Sequence, residues 1–170
     1  MNRVKLIIMD QTLKGDVGSM FLPATGHDDD AGIDCYALYD IELPPYPATQ
    51  TIDEKARRSV VTPVHLGFGI KMPRRTLWDR ITGKYWHAEL TSRSSQNKRG
   101  VMVLRGIIDQ SYLGEYIVCL VNLNPYPILY SKGERICQVL FYKERKVKSR
   151  QIRVLQKEKR GKGGFGSTGR

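Results

Sequence analysis

Short apolar or alternating runs, each closed by Gly, Pro, Asn or Asp, recur along the whole chain, and few segments keep apolar residues at helical spacing for ten or more positions. The runs Val4–Met9, Gly32–Tyr39, Ser59–Leu66, Gly67–Met72, His87–Thr91, Val101–Leu104, Tyr116–Leu123, Ile128–Tyr130 and Cys137–Tyr142 predict strands, with Gln151–Leu155 a weaker one. Many short strands separated by turns predict an all-β sandwich or barrel. One short helix is expected from Ser94 or Ser95, whose hydroxyls suit the capping of N–H groups ahead of Gln96, Asn97, Lys98 and Arg99. Two stretches read as insertions: Pro44–Arg58, proline-bearing then charged, and Arg74–Trp86, with Ile81-Thr82-Gly83 as a hairpin tip.

A length of 170 residues with 41% hydrophobic content fits one domain with a buried core. No apolar run reaches membrane-spanning length, and the basic start leads into no secretory apolar segment, so a cytoplasmic location is expected. Cys35, Cys119 and Cys137 are odd in number, widely spaced and beside apolar residues, which predicts buried reduced thiols without metal-ligand spacing. The net charge of +11 is uneven, with ten Lys or Arg between Lys143 and Lys162 against Glu144 and Glu158. A nucleic-acid footprint and a solvated edge that concentrates a polyanionic substrate both suit such a run. The solvated edge is the preferred reading, and charge alone does not choose.

Five islands carry chemistry. Asp30-Ala31-Gly32-Ile33-Asp34 brings a carboxylate to the start of a strand, where it can hold a metal-bound water. Ser92-Arg93-Ser94-Ser95 presents a guanidinium, hydroxyls and helix-start N–H groups, a set suited to phosphate oxygens. Gly106-Ile107-Ile108-Asp109-Gln110-Ser111-Tyr112-Leu113-Gly114-Glu115 reads as a β-hairpin displaying a carboxylate and a ring. Lys132-Gly133-Glu134-Arg135-Ile136-Cys137-Gln138 is a turn entering a strand, with Gln138 among apolar neighbours and in need of hydrogen-bond partners. The terminal Arg160-Gly161-Lys162-Gly163-Gly164-Phe165-Gly166-Ser167-Thr168-Gly169 can wrap N–H groups round an anion and offer a ring to a flat partner. It is not a P-loop, because no Lys-Ser/Thr pair follows its glycines.

In order and spacing, these islands closely resemble the five motifs of the trimeric deoxyuridine triphosphatases (dUTPases) across residues 30–169. The resemblance implies a β jelly roll over residues 1–159, a nucleotide-closing arm at 160–170, and a homotrimer whose sites draw on three subunits. It implies dUTP diphosphatase activity giving dUMP and pyrophosphate with Mg2+ on the triphosphate, which keeps uracil out of DNA and supplies dUMP for dTMP synthesis. Asp109 would activate the attacking water and meet the sugar 3′-hydroxyl, and Tyr112 would lie under the deoxyribose and exclude a 2′-hydroxyl. The backbone of Gly106, Ile107 and Ile108 with Ile117 would pair with the uracil edge. Arg93, Ser94 and Ser95 would hold phosphates, Gln138 would order water and substrate, and Asp34 would touch the metal through its water shell. Arg160 would grip the γ end and Phe165 stack on uracil, while Gly166, Ser167 and Thr168 close over the phosphates.

Ser95 replaces the glycine usual after Arg-Ser in dUTPases and is more typical of dCTP deaminases, the sister family on this fold. Deamination of dCTP, alone or combined with dUTP hydrolysis, is therefore an alternative. The deaminases place a catalytic glutamate ten residues after the third-motif aspartate; this chain has Cys119 there, and a thiol cannot shuttle that proton. A zinc deaminase lacks its His-x-Glu and Cys-x-x-Cys signature here. A regulatory or nucleic-acid-binding protein on a dUTPase scaffold is the alternative from another class. Retention of reactive residue types in every island argues against it.

Overall fold

Alternation decides where each strand sends its side chains. In β3 (Ile41–Leu43) Ile41 and Leu43 are buried and Glu42 faces out; in β7 (Val101–Leu104) Val101 and Val103 are buried while Met102 and Leu104 are exposed. The computed structural model describes residues 4–10, 14, 21–27, 29–47, 60–147 and 149, and these include eleven strands and two short helices. β1 (Lys5–Ile8) pairs with β5 (Phe68–Lys71), and β3 pairs with β10 (Ile128–Tyr130). A three-stranded sheet runs β4 (Val61–His65), β9 (Ile117–Asn122), β7. A four-stranded sheet runs β2 (Gly32–Tyr36), β11 (Arg135–Arg145), β6 (Lys84–Thr91), β8 (Gly106–Asp109), and every pairing is antiparallel.

One apolar cluster joins the sheets, with Leu43, Phe68, Ile70, Leu120, Tyr130 and Ile136 among its members. Each fully buried side chain of this size contributes about 1.5–3 kcal/mol. The expected all-β, jelly-roll-like architecture holds. Pro63 sits inside β4 because β4 is an edge strand, where a missing N–H breaks no ladder. Among the described residues, no helix is long and apolar enough to cross a membrane. Gln151–Leu155, residues 48–59 and the Arg160–Thr168 island lie outside the described residues.

Several local expectations are corrected. β6 and β11 outrun their apolar patterns because Lys84, Tyr85 and Trp86 continue the ladder against Arg145, Glu144 and Lys143. Residues 74–86 are not a hairpin tip but carry helix α1 (Leu77–Thr82). Thr76 Oγ1 accepts from Asp79 N (3.1 Å), Asp79 Oδ2 accepts from Thr76 N (2.8 Å), and Gly83 closes the helix at φ 69°. Lys143 Nζ lies 2.6 Å from Asp79 Oδ1, and chiefly through that contact the carboxyl is held down at about 2. Helix α2 (Ser94–Lys98) starts where expected, but Arg93 occupies its N-cap and no side chain caps it. Cys35 and Cys137 are buried, opposite one another on β2 and β11, and Cys119 is half-buried; all three are free thiols. A hydrogen bond with Cys137, reinforced by burial, pushes the Cys35 thiol well above its usual range.

Residues 106–117 do not form a hairpin ladder. β8 pairs with β6, whereas β9 pairs with β4 and β7. The segment is an arch between two sheets.

Candidate active site

Asp34 lies in β2 directly opposite Gln138 of β11, and Gln138 in turn faces Thr91 of β6. Its Oδ1 accepts from Arg93 Nε at 2.7 Å and its Oδ2 from Arg135 Nη1 at 3.2 Å, so one largely buried carboxylate fixes two guanidiniums. Such charge-assisted bonds are the stronger class. The remaining reach of Arg93 goes to Ser95, whose Oγ accepts from Nη1 at 3.1 Å. The hydroxyl expected to cap α2 thus orients the arginine instead. Gln138 donates from Nε2 to Ser92 O at 3.1 Å, and Gly32 leaves the room: a Cβ there would stand 2.6 Å from Gln138 Oε1. Asp34, Arg93, Ser95 and Gln138 therefore come together, with Ser94 exposed on the first turn of α2.

The Gly106–Ile117 arch builds a second centre. In the β7–β9 register Leu104 faces Cys119, so continuing it two residues would set Gly106 against Ile117. The chain instead crosses to β6 at Arg105, which pairs with Glu89, and the two strands part. A cleft of about 320 Å³ opens between them, lined by Leu90, Gly106, Ile107, Ile108, Asp109, Tyr112, Glu115, Tyr116 and Ile117. β8 is the free edge of its sheet, so its outer backbone groups face this space unpaired by any strand. A Cβ on Gly106 would meet no atom within 4 Å.

Asp109 ends β8 with its side chain exposed. The turn behind it is pinned twice: Gln110 accepts from Trp86 N at 3.3 Å and donates to Pro73 O at 2.9 Å. Tyr112 N donates to Asp109 O (3.0 Å), its hydroxyl donates to Glu115 O (3.0 Å), and a Cβ on Gly114 would lie 2.5 Å from that hydroxyl and displace the ring. The Tyr112 ring remains half-exposed at the cleft. Glu115 fastens the arch to the β4–β5 turn, where Oε1 accepts from Gly67 N and Oε2 meets His65 Nδ1, both at 2.8 Å.

Asp34 and Asp109 lie on one face of one sheet. Thr91 shares a row with Gln138 and Asp34, and His87, four residues earlier on β6, pairs with Asp109. Four residues along and three strands across put Asp34 and Asp109 at opposite corners, about 20 Å apart at ordinary strand spacings.

The dUTPase family model matches residues 81–169, which include the arch, both arginines and the terminal island. The deoxyuridine 5'-triphosphate nucleotidohydrolase of Clostridium tetani is 32% identical over 152 residues, covering 88% of this chain and 89% of the relative. The chain belongs to the dUTPase family. The nucleotidohydrolase of Mycobacterium marinum is likewise 32% identical, over 157 residues and 87% of each chain. Among solved structures, a point mutant of the dUTPase of Staphylococcus bacteriophage 80alpha with dUpNHpp has a TM-score of 0.71 over 99% of both chains at 18% identity, a likeness of fold.

Two supports of this dUTPase site carry no role in the sequence reading. Arg135 is the second guanidinium on Asp34, although its place in the fourth motif was visible. Gln96 is buried under α2, donates from Nε2 to Arg135 O at 2.7 Å and accepts from the Tyr130 hydroxyl, so it seats the helix bearing Ser94 and Ser95. A polar residue in a short helix between exposed neighbours gives no sequence signal of burial.

Proposed function

We infer that this chain hydrolyses dUTP to dUMP and pyrophosphate. The observation that carries the reading is the parting of β8 from β9, which leaves main-chain donors and acceptors of Gly106–Ile108 and Ile117 at a cleft of about 320 Å³. Main-chain groups held by a sheet can read a uracil edge as a base partner would. Tyr112 lies under the deoxyribose, with no space for a 2′-hydroxyl. Asp109, held by the Gln110 pins, takes the proton of the attacking water.

Arg93, Ser94 and Ser95 hold the phosphates, with Arg135 in support, and Gln138 orders water beside them. The described residues contain no group of three or more acidic, His or Cys side chains able to hold a metal, and Asp34 already serves two arginines. That donor set suits Mg2+ arriving on the triphosphate, with Asp34 meeting only its water shell. The ion would supply charge neutralisation along the triphosphate. The span of about 20 Å between the two centres favours a homotrimer in which one subunit's arch works with a neighbour's arginine cluster. Arg160, Phe165, Gly166, Ser167 and Thr168, outside the described residues, complete the site as a closing arm on a domain of residues 1–159. A cytoplasmic setting matches free cysteines.

Purified protein given dUTP, dCTP, dTTP or UTP with Mg2+ tests this reading. Pyrophosphate should appear from dUTP alone. Ammonia from dCTP, or dUTP left intact, would overturn it.

A further inference from the structure

The nucleotide site draws on residues 74–86 only through Trp86 N, which pins Gln110. On α1, Leu77, Trp78 and Ile81 stand in solvent at 75%, 67% and 68% exposure. The frame beneath them is firm: the Thr76–Asp79 capping box, the Asp79–Lys143 ion pair, and Arg75, which donates to Lys84 O (2.9 Å) and Asp79 O (3.1 Å) and stacks 3.8 Å over the Tyr85 ring. An apolar knob displayed on such a frame marks an interaction surface.

The surroundings carry one sign of charge. Residues 74–86 and 143–147 hold seven Lys or Arg against Asp79 and Glu144, and Asp79 is already paired with Lys143. Cations also sit against rings here, with Lys143 Nζ 5.2 Å from the Trp86 centroid and Lys146 Nζ 5.6 Å from that of Tyr85. Lys146 N bonds Gly83 O at 3.0 Å, so the chain leaves β11 beside α1, and its sequence continues with seven more Lys or Arg between 148 and 162.

We propose that α1 and the adjoining end of β11 form a docking surface for single-stranded nucleic acid, with Trp78 as a base-stacking platform and Arg74, Arg80, Lys84 and Lys146 on the phosphates. Aromatic rings interleaved with cations suit an unstacked strand, which offers π faces and phosphates together. A second copy meeting this face with the same face would set its seven Lys or Arg against an identical cluster. A duplex hides the base faces that Trp78 requires.

The test uses the full-length protein and a fluorescein-labelled oligothymidylate about 20 nucleotides long, longer than the site of one such module. Excess dUMP keeps the strand out of the nucleotide site, and anisotropy reads binding. Affinity should fall about fiftyfold between about 50 and 200 mM salt if four phosphates are contacted. Trp78→Ala should weaken binding about tenfold and Trp78→Phe largely restore it. Arg74→Glu with Arg80→Glu should flatten the salt dependence, and dUTP hydrolysis should be unchanged in all three variants.

Absence of binding at low salt overturns the proposal. So does binding indifferent to these variants, which would assign it to the basic terminal run. Equal affinity for a duplex of the same length also defeats it. Failure of acrylamide to quench Trp78 would show the knob covered by another copy. A Trp78 emission shift on phosphatidylserine-containing vesicles, without oligothymidylate binding, would assign the surface to lipid instead.

Discussion

The arch around Asp109 and the cluster around Asp34 share a sheet but are built on opposite principles. The arch makes its cleft by withholding interactions: two strands in register for pairing separate at Arg105, and Gly106 leaves open space where another residue would project a side chain. The cluster is made by adding interactions, with one carboxylate tying two guanidiniums, a serine aiming one of them and a glutamine bonded across to Ser92. Changes at the mouth of the arch, at Gly106 and Asp109, should therefore alter function without altering stability. Changes in the cluster should alter both.

The largest effect is expected at the mouth of the arch. Asp109→Asn removes the proton acceptor while keeping size and shape. Turnover should fall by about a thousandfold or more, with the melting temperature unmoved. Pyrophosphate release and a thermal melt decide it, and retained turnover would remove Asp109 as the base. Gly106→Val comes next. Its branched side chain enters space that is empty in the folded chain, so it should leave stability intact and lower kcat/KM for dUTP by about a hundredfold through crowding of the base. A Gly106→Val protein that unfolds early would show that the cleft is not open as described.

Asp34→Asn supplies the contrast. Both arginines lose a charged acceptor, which should lower stability by about 1–2 kcal/mol and kcat/KM roughly tenfold. Loss of activity with an unchanged melt would place Asp34 with the arch residues and erase the distinction.

Legibility in the sequence follows the same division. Strands with one buried face, such as Val101–Leu104 and Ile128–Tyr130, announce themselves by alternation, and the all-β class follows from them. Gly106-Ile107-Ile108-Asp109 does not alternate, and local pattern cannot say that its partner is β6 instead of the strand that follows. The hairpin reading failed on tertiary pairing, because β8 takes β6 as its neighbour and β9 takes β4 and β7. Helix α1 was hidden for another reason: its apolar residues face solvent, so its cap signature, Thr76 with Asp79 and then Gly83, lacked the buried stripe that usually accompanies it. The roles of Arg135 and Gln96 depend on contacts between distant segments, Asp34 with Arg135 and Gln96 with Tyr130, which no spacing along the chain reveals.

The smallest expected effect lies in the wall of the cleft. Tyr116 is 1% exposed, its ring tilts against Phe68 and Tyr112, and among the described residues its hydroxyl is the buried side-chain polar atom without a hydrogen-bond partner. A buried hydroxyl lacking a partner costs free energy, so Tyr116→Phe should stabilise the protein by about 1 kcal/mol and raise the melting temperature by roughly 2–4 °C. Burial pushes this phenol up to about 12, above its usual 10. A raised value in the folded state means that the tyrosine's contribution is whole below pH 10 and is lost as pH climbs towards 12, when the unfolded chain ionises first. The advantage of Tyr116→Phe should accordingly widen in melts between pH 10 and 11 while dUTP turnover at pH 7 stays unchanged. A variant less stable than the parent at pH 7 would show that the hydroxyl has a partner, and the cleft wall would then be held by a side-chain bond of its own, as the Asp34 cluster is.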